Sequence, residues 1–324
     1  MNVHELVDEL FEVFADRIGE PLGGSARDLP QTLSLAPVSA PWSRVFSHEV
    51  TLGAPALFAE AMPDVDRTVL RDAVLAHLLA VVDAFGTDRI EDEQVTPSPA
   101  LFAVLGQARR ERDRAVARIF GGATPSDLDF RAADALTMRA IRRERAVLQA
   151  GIPIDLDTYE RASLDKQCAG LVASVALARA AGWSPKRCQA VRMTLESVSL
   201  GLQLADDVVD WEDDLRRGGA WAVSVMRSMP TADPSSSAVR RSDRPEPLRD
   251  RVLQSGVLGI MLTRAWIHMR RARRRAGALG ASRLAAWAAA QEARLRSLTE
   301  AEIRSAGYAV RARALAAWAC EVLA

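Results

Sequence analysis

Apolar residues recur at spacings of three and four along nearly the whole chain, and the strict alternation that marks strands is missing, so the sequence predicts helices throughout. The first helix covers roughly Asn2–Ile18, and a loop rich in Gly, Pro and Ser follows from Gly19 to about Trp42. Asp64 or Asp66 can cap a long helix through DRTVLRDAVLAHLLAVVDAF, with Gly86 and Thr87 interrupting or bending it. Ser98-Pro99 combines a capping hydroxyl with proline at the first helical position, opening a helix to Arg118 that ends near Gly121-Gly122. Thr124-Pro125 starts another, to about Ala150, with Gly151 as its C-cap. Asp157 opens the next, through Tyr159 and Lys166 to Ala181, where Gly182 stops it. Ser184-Pro185 begins a helix that runs to Gly218-Gly219. Pro230 to Pro247 holds four prolines and the Ser235–Ser237 run and reads as an exposed loop, open to use as a lid. Two or three helices complete the chain.

Composition narrows this to one all-helical domain spanning 1–324, since 49% hydrophobic residues supply ample core for that length. Basic and acidic residues balance at 42 each, so there is no net basic surplus of the kind nucleic-acid binders carry. Lys166 and Lys186 are the only lysines; the dominance of arginine, beside abundant alanine, reads as compositional bias and gives no single arginine a role. Cys168, Cys188 and Cys320 are widely spaced and fit small buried side chains in a reducing cytoplasm. The amino-terminal stretch is acidic and amphipathic, unlike a secretory signal, and no run of ~18 uncharged apolar residues predicts an integral membrane segment.

Two acidic clusters stand out. In GLQLADDVVDWEDDLRRGGAW, Asp206, Asp207, Asp210, Glu212, Asp213 and Asp214 fall within nine residues. Each four-residue step advances a helix by about 40° and about 6 Å, so Asp206, Asp210 and Asp214 form one row, flanked by Asp207 and Asp213. Like charges at that spacing cost roughly 0.2–0.5 kcal/mol per pair. Either Arg216 and Arg217 neutralise a solvated face, or divalent cations do so, and Mg²⁺ prefers carboxylate, water and phosphate oxygen. In VVDAFGTDRIEDEQ, Asp88, Glu91 and Asp92 share a helical face with His77, while Asp83 points elsewhere if the helix is continuous. Alone, that second pattern is also what a helix cap leaves behind. Together, clusters on two long helices more than a hundred residues apart can face one another across the cavity of a bundle.

These motifs resemble the class I isoprenoid-synthase superfamily, which includes terpene synthases, trans-prenyl diphosphate synthases, and squalene and phytoene synthases. Asp206-x3-Asp210-x3-Asp214 has the spacing of the terpene-synthase metal triad, with aspartate at both later positions. Leu202–Asp210 is similar to the second Asp-rich motif of prenyl diphosphate synthases, and Asp210–Trp221 to a phytoene-synthase pattern. Thr87–Glu93 resembles the first squalene-synthase motif, Tyr159–Leu171 the prenyl-synthase helix with a diphosphate-binding lysine, and Trp42–Phe46 the opening of phytoene synthases. The resemblance spans roughly Ser43 to Trp221. Glu93, Gln94 and Val95 stand where chain-elongating synthases have paired arginines, and Arg-Gly-Gly where they have Gly-Lys.

The resemblance implies an all-α bundle of the isoprenoid (terpenoid) synthase type with a central apolar cavity. It implies three Mg²⁺ ions held by Asp88, Glu91 and Asp92 from one wall and Asp206, Asp210 and Asp214 from the other. Lys166, Arg216 and Arg217 are the candidate grips on diphosphate. Of these, Asp88, Asp92, Asp206, Asp210 and Asp214 carry the catalytic expectation. The first reading is a terpene synthase releasing diphosphate from one prenyl substrate. The alternatives are a prenyltransferase joining prenyl diphosphates, in the squalene/phytoene or chain-elongating manner, and a non-catalytic helical relative acting as a scaffold. A cytoplasmic homodimer with no nucleic-acid partner completes the expectation.

Overall fold

The computed structural model describes residues 2–128, 130–229 and 245–305. Among them there are sixteen α-helices, two short 3-10 turns and no strand, as the periodicity predicts. The helices are α1 (Val3–Ile18), α2 (Leu22–Arg27), α3 (Leu29–Thr32), α4 (Trp42–Val45), α5 (Glu49–Phe58), α6 (Arg67–Glu91), α7 (Pro99–Ile119) and α8 (Phe130–Ala150). They continue as α9 (Leu156–Gln167), α10 (Ala169–Ala180), α11 (Pro185–Val209), α12 (Trp211–Arg217), α13 (Trp221–Ser228), α14 (Pro245–Ser255), α15 (Val257–Leu279) and α16 (Ser282–Ser305). None is long and apolar enough to cross a membrane.

The chain divides into two compact units. The first comprises Met1–Arg142, Asp165–Leu195 and Arg275–Ala285; the second, Arg143–Leu164, Glu196–Arg274 and Ala286–Ala324. In the first unit α6 is the central helix. Every residue from Ala73 to Asp83 is buried, the signature of a helix covered on all sides. It packs against α1, α5, α7 and α10. His77, in its middle, bonds Gly170 O at 2.9 Å and Thr51 O at 3.0 Å, tying α6 to α10 and α5. The second unit has its own core of Tyr159, Leu204, Trp211, Trp221, Val252, Met261, Trp266, Met269 and Leu295.

Helix starts read from capping chemistry hold at Asp66 and Ser98, and Asn2, expected inside the first helix, proves to be its cap; each side chain accepts a backbone N–H of the first turn. Several expectations change. α6 runs unbroken through Gly86 to Glu91. Gly86 serves packing: a Cβ there would lie 2.7 Å from Leu105 Cδ2 of α7. Tertiary contact outweighs the roughly 1 kcal/mol propensity penalty. The Gly19–Trp42 loop contains α2 and α3. α8 starts at Phe130, after a 3-10 turn at Ser126–Leu128. Asp155 caps the next helix, accepting from Thr158 N at 2.6 Å. The single helix expected from Asp157 to Ala181 breaks at Cys168, whose thiol reaches back to Ala133 O at 3.1 Å. The stretch expected to end at Gly218-Gly219 divides at Asp210 (φ −100°, ψ 5°). Aspartate is a weak mid-helix residue. The ladder nevertheless continues across it, Asp210 N to Asp206 O and Asp214 N to Asp210 O both at 2.9 Å. Most of the expected Pro230–Pro247 loop and Cys320 lie outside the described residues.

Replacing Gly86→Leu should overpack the α6–α7 seam and cost about 1–3 kcal/mol. Urea unfolding should show it as a lower midpoint at an unchanged m-value. Wild-type stability would mean that Leu105 swings aside at no cost.

Candidate functional site

Each unit carries one acidic centre. In the first, the C-terminal half of α6 presents two faces. Asp83, Thr87 and Glu91 follow one another at four-residue steps and line a cavity of about 310 Å³, together with Arg109, Asp134 and Thr137 and the apolar Ala80, Ile90, Phe102, Leu105 and Met138. Asp83 is 5% exposed. Arg109 Nε donates to both its oxygens, at 2.9 and 2.8 Å, and Arg109 Nη2 donates to Thr87 Oγ1 at 3.2 Å. Behind this pair Arg112, 1% exposed, makes a two-pronged bond to Asp134 at 2.9 and 2.7 Å and lies over the Phe130 ring at 4.0 Å. Burial pushes the Asp83 carboxyl above its ordinary value, and the Arg109 and Arg112 guanidiniums pull it back.

The other face of α6 holds Asp88, which meets Lys166 of α9 at 3.0 Å. Two residues singled out separately in the sequence are thus brought together as an ion pair, both largely shielded from solvent. Glu91 turns toward the cavity and Arg142, 3.2 Å away. Asp92 is the C-cap residue of α6. The three candidate ligands of this cluster therefore do not converge on one point.

In the second unit the row Asp206, Asp210 and Asp214 spans the α11–α12 junction. Asp206 and Asp210 are exposed and Asp214 half-buried. Burial, with Asp210 and Asp206 adding to it and Arg217 opposing, pushes the Asp214 carboxyl up to about 6. Arg217 reaches Asp214 at 3.5 Å, Arg216 reaches Asp213 at 2.5 Å and Arg249 reaches Glu212 at 2.8 Å. Beneath the row sits Asp207, buried. The Tyr159 hydroxyl donates to Asp207 Oδ2, and Gln203 Nε2 donates to Oδ1 at 2.9 Å. Burial raises Asp207 to about 8, although both hydrogen bonds oppose the rise. The Tyr159 ring meets Trp221 edge-on at 5.2 Å, and Trp221 Nε1 donates to Glu144 Oε1 at 2.8 Å.

Among the described residues, no three His, Cys, Asp or Glu side chains form a group that could hold a metal ion. The donor chemistry still suits magnesium. The row is a set of hard oxygen donors whose mutual repulsion already raises Asp214, and Mg²⁺ binds through one or two carboxylates while keeping waters and taking substrate phosphate. A closed protein cage is not required. Sequence reasoning missed Asp83, Arg109, Glu144, Tyr159 and Gln203 as parts of these centres. Asp83 had been set aside as pointing away from the cluster face, which it does, but toward a cavity.

The all-helical architecture has a counterpart among solved structures. A solved structure with this arrangement is the polyprenyl synthetase from Streptomyces coelicolor A3(2), which aligns with a TM-score of 0.66 over 89% of this chain and 97% of that one, at 13% sequence identity. At that identity the likeness establishes the fold alone. No protein-family model and no curated protein sequence matches the chain.

Arg109→Met should leave Asp83 buried without its main counterion. A buried aspartate whose folded value lies above the unfolded one contributes stability that is lost as pH rises through the folded value, and removing Arg109 moves that value further up. The variant should match wild type near pH 4 and fall about 1–3 kcal/mol below it near pH 8, read by urea unfolding across pH. A pH-independent difference would mean Asp83 does not sense Arg109.

Proposed function

We propose that the chain is a magnesium-dependent enzyme that ionises a prenyl diphosphate and transfers the prenyl group to a second prenyl substrate. The carrying observation is the row Asp206, Asp210 and Asp214, one carboxylate on each of three successive turns, in a chain of prenyl-synthase-type fold. The name of the fold relative, a polyprenyl synthetase, supports transfer ahead of the cyclisation that the sequence motifs favoured. Cyclisation by a terpene synthase is the second reading. Its support is the spacing of the same row and the absence of paired arginines after Asp92, where Glu93, Gln94 and Val95 follow.

In this reading Asp88, Glu91 and Asp92 of the first unit and Asp206, Asp210 and Asp214 of the second are the proposed magnesium ligands. When bound, the metal supplies charge neutralisation for the departing diphosphate. Lys166, paired to Asp88 at 3.0 Å, has three donors and can keep that pair while giving another to a phosphate oxygen. Arg216 and Arg217, more than half exposed at the end of α12 and paired with Asp213 and Asp214, are the proposed further grips on the same group. The cavity beside α6, walled by Ala80, Ile90, Phe102, Leu105 and Met138, is the proposed seat of the prenyl tail, where exclusion of water protects an allylic cation from quenching. The whole chain acts as one catalytic domain.

Purified protein should consume C10, C15 or C20 prenyl diphosphates only with Mg²⁺, and mass spectrometry should find carbon skeletons enlarged by C5 units or doubled. Asp210→Ala should lower kcat about 100-fold or more, the loss of a few kcal/mol of charge stabilisation. A product of unchanged carbon number would move the assignment to the terpene-synthase reading. Absence of any Mg²⁺-dependent turnover would remove the enzymatic reading altogether.

A further inference from the structure

Asp207 is a buried group that the proposed chemistry leaves unused. It sits between Asp206 and the α11–α12 junction, within the run of candidate ligands, but it faces inward. Its two oxygens are taken by two different donors, the Tyr159 hydroxyl from α9 and Gln203 Nε2 from one turn earlier on α11. Tyr159 is 0% exposed and is itself held by the Trp221 ring of α13, whose indole N–H is fixed on Glu144 of α8. α9 and α11 therefore meet on one aspartate, and α13 and α8 back the tyrosine that reaches it. A carboxylate held this way cannot rotate outward to a metal, because both oxygens would have to leave donors that nothing else in the core replaces. It can hold the backbone on either side of it.

We infer that Tyr159 is a positioning residue for metal binding: through Asp207, with Gln203 as the second clasp, it fixes the last turn of α11 so that Asp206, Asp210 and Asp214 stay aligned across the break at Asp210. The break makes such a clasp necessary. Asp210 has left the helical φ/ψ region and its side chain makes no capping bond, so the junction draws support from what grips α11 from below. Asp207 is the residue next to the first member of the row and three before the second, so a loosened Asp207 frees both ligands. The inference rests on the magnesium reading and adds that the ligand row is preorganised from the core by a phenol that never touches the metal.

The test compares wild type, Tyr159→Phe and Gln203→Met by Mn²⁺ titration calorimetry on the full chain without substrate, beside the Mg²⁺ dependence of prenyl diphosphate turnover and the thermal midpoint. Tyr159→Phe removes one oxygen and keeps the ring against Trp221. Loss of one buried hydrogen bond corresponds to up to roughly tenfold. Mn²⁺ affinity and the Mg²⁺ concentration for half-maximal rate should both weaken by about that factor in Tyr159→Phe, and in the same direction in Gln203→Met, with the rate at saturating Mg²⁺ far less affected. A residue with only a structural role would lower the thermal midpoint and leave the metal affinity of the folded fraction at its wild-type value; that result in both variants overturns the inference. Should Tyr159→Phe not fold, Gln203→Met decides alone. Wild type that binds no Mn²⁺ and turns over no substrate overturns the magnesium reading and this inference with it. Wild type that binds and turns over, beside variants that bind equally well, overturns the inference only.

Discussion

A carboxylate taken out of water costs several kcal/mol unless donors or opposite charge meet it, and each unit of this chain is organised around one such aspartate. In the first, Asp83 is answered by Arg109 across the α6–α7 seam, with Arg112 and Asp134 behind it. In the second, Asp207 is answered by neutral donors alone, Tyr159 and Gln203. The difference matters. A guanidinium opposes the rise that burial imposes on Asp83 and leaves a polar wall beside the apolar lining of the cavity. A phenol and an amide satisfy Asp207's geometry but bring no positive charge, and burial holds its carboxyl up at about 8, so it packs in the core largely as a neutral group.

How much of this could be read from the sequence follows from the kind of interaction involved. Helix existence and most starts were legible, because 3.6-residue periodicity and capping are local. Asn2, Asp66 and Ser98 do what their residue types and neighbours imply. The misplaced boundaries come from long-range contacts. Gly86 looked like a break and is a seat for Leu105, nineteen positions further along the chain. Cys168 looked like one more apolar position and instead turns the chain so that its thiol meets Ala133 O. The row Asp206, Asp210 and Asp214 was visible from spacing alone. Its buried support was not, because the partners of Asp207 include a tyrosine 48 residues earlier in the chain. The pairing of Lys166 with Asp88, 78 residues apart, is a case where two independent sequence signals converged in space.

The two acidic clusters meet their cations differently. In the first, Asp88 has Lys166, Glu91 has Arg142 and Asp83 has Arg109, each within 3.2 Å and each from another helix. In the second, Arg216 and Arg217 reach Asp213 and Asp214 from within the same helix, and Arg249 reaches Glu212. Burial, with the Asp210 and Asp206 charges adding to it, holds Asp214 up at about 6, and a cation at the row would relieve that repulsion. At the first cluster the proposed reading needs no loss of the Asp88–Lys166 pair, since the ammonium has donors left for a phosphate oxygen. An anion at one end and a hydrocarbon at the other is the substrate chemistry that carboxylates, a paired lysine and an apolar cavity would each answer, and that is the ground on which the proposed function rests.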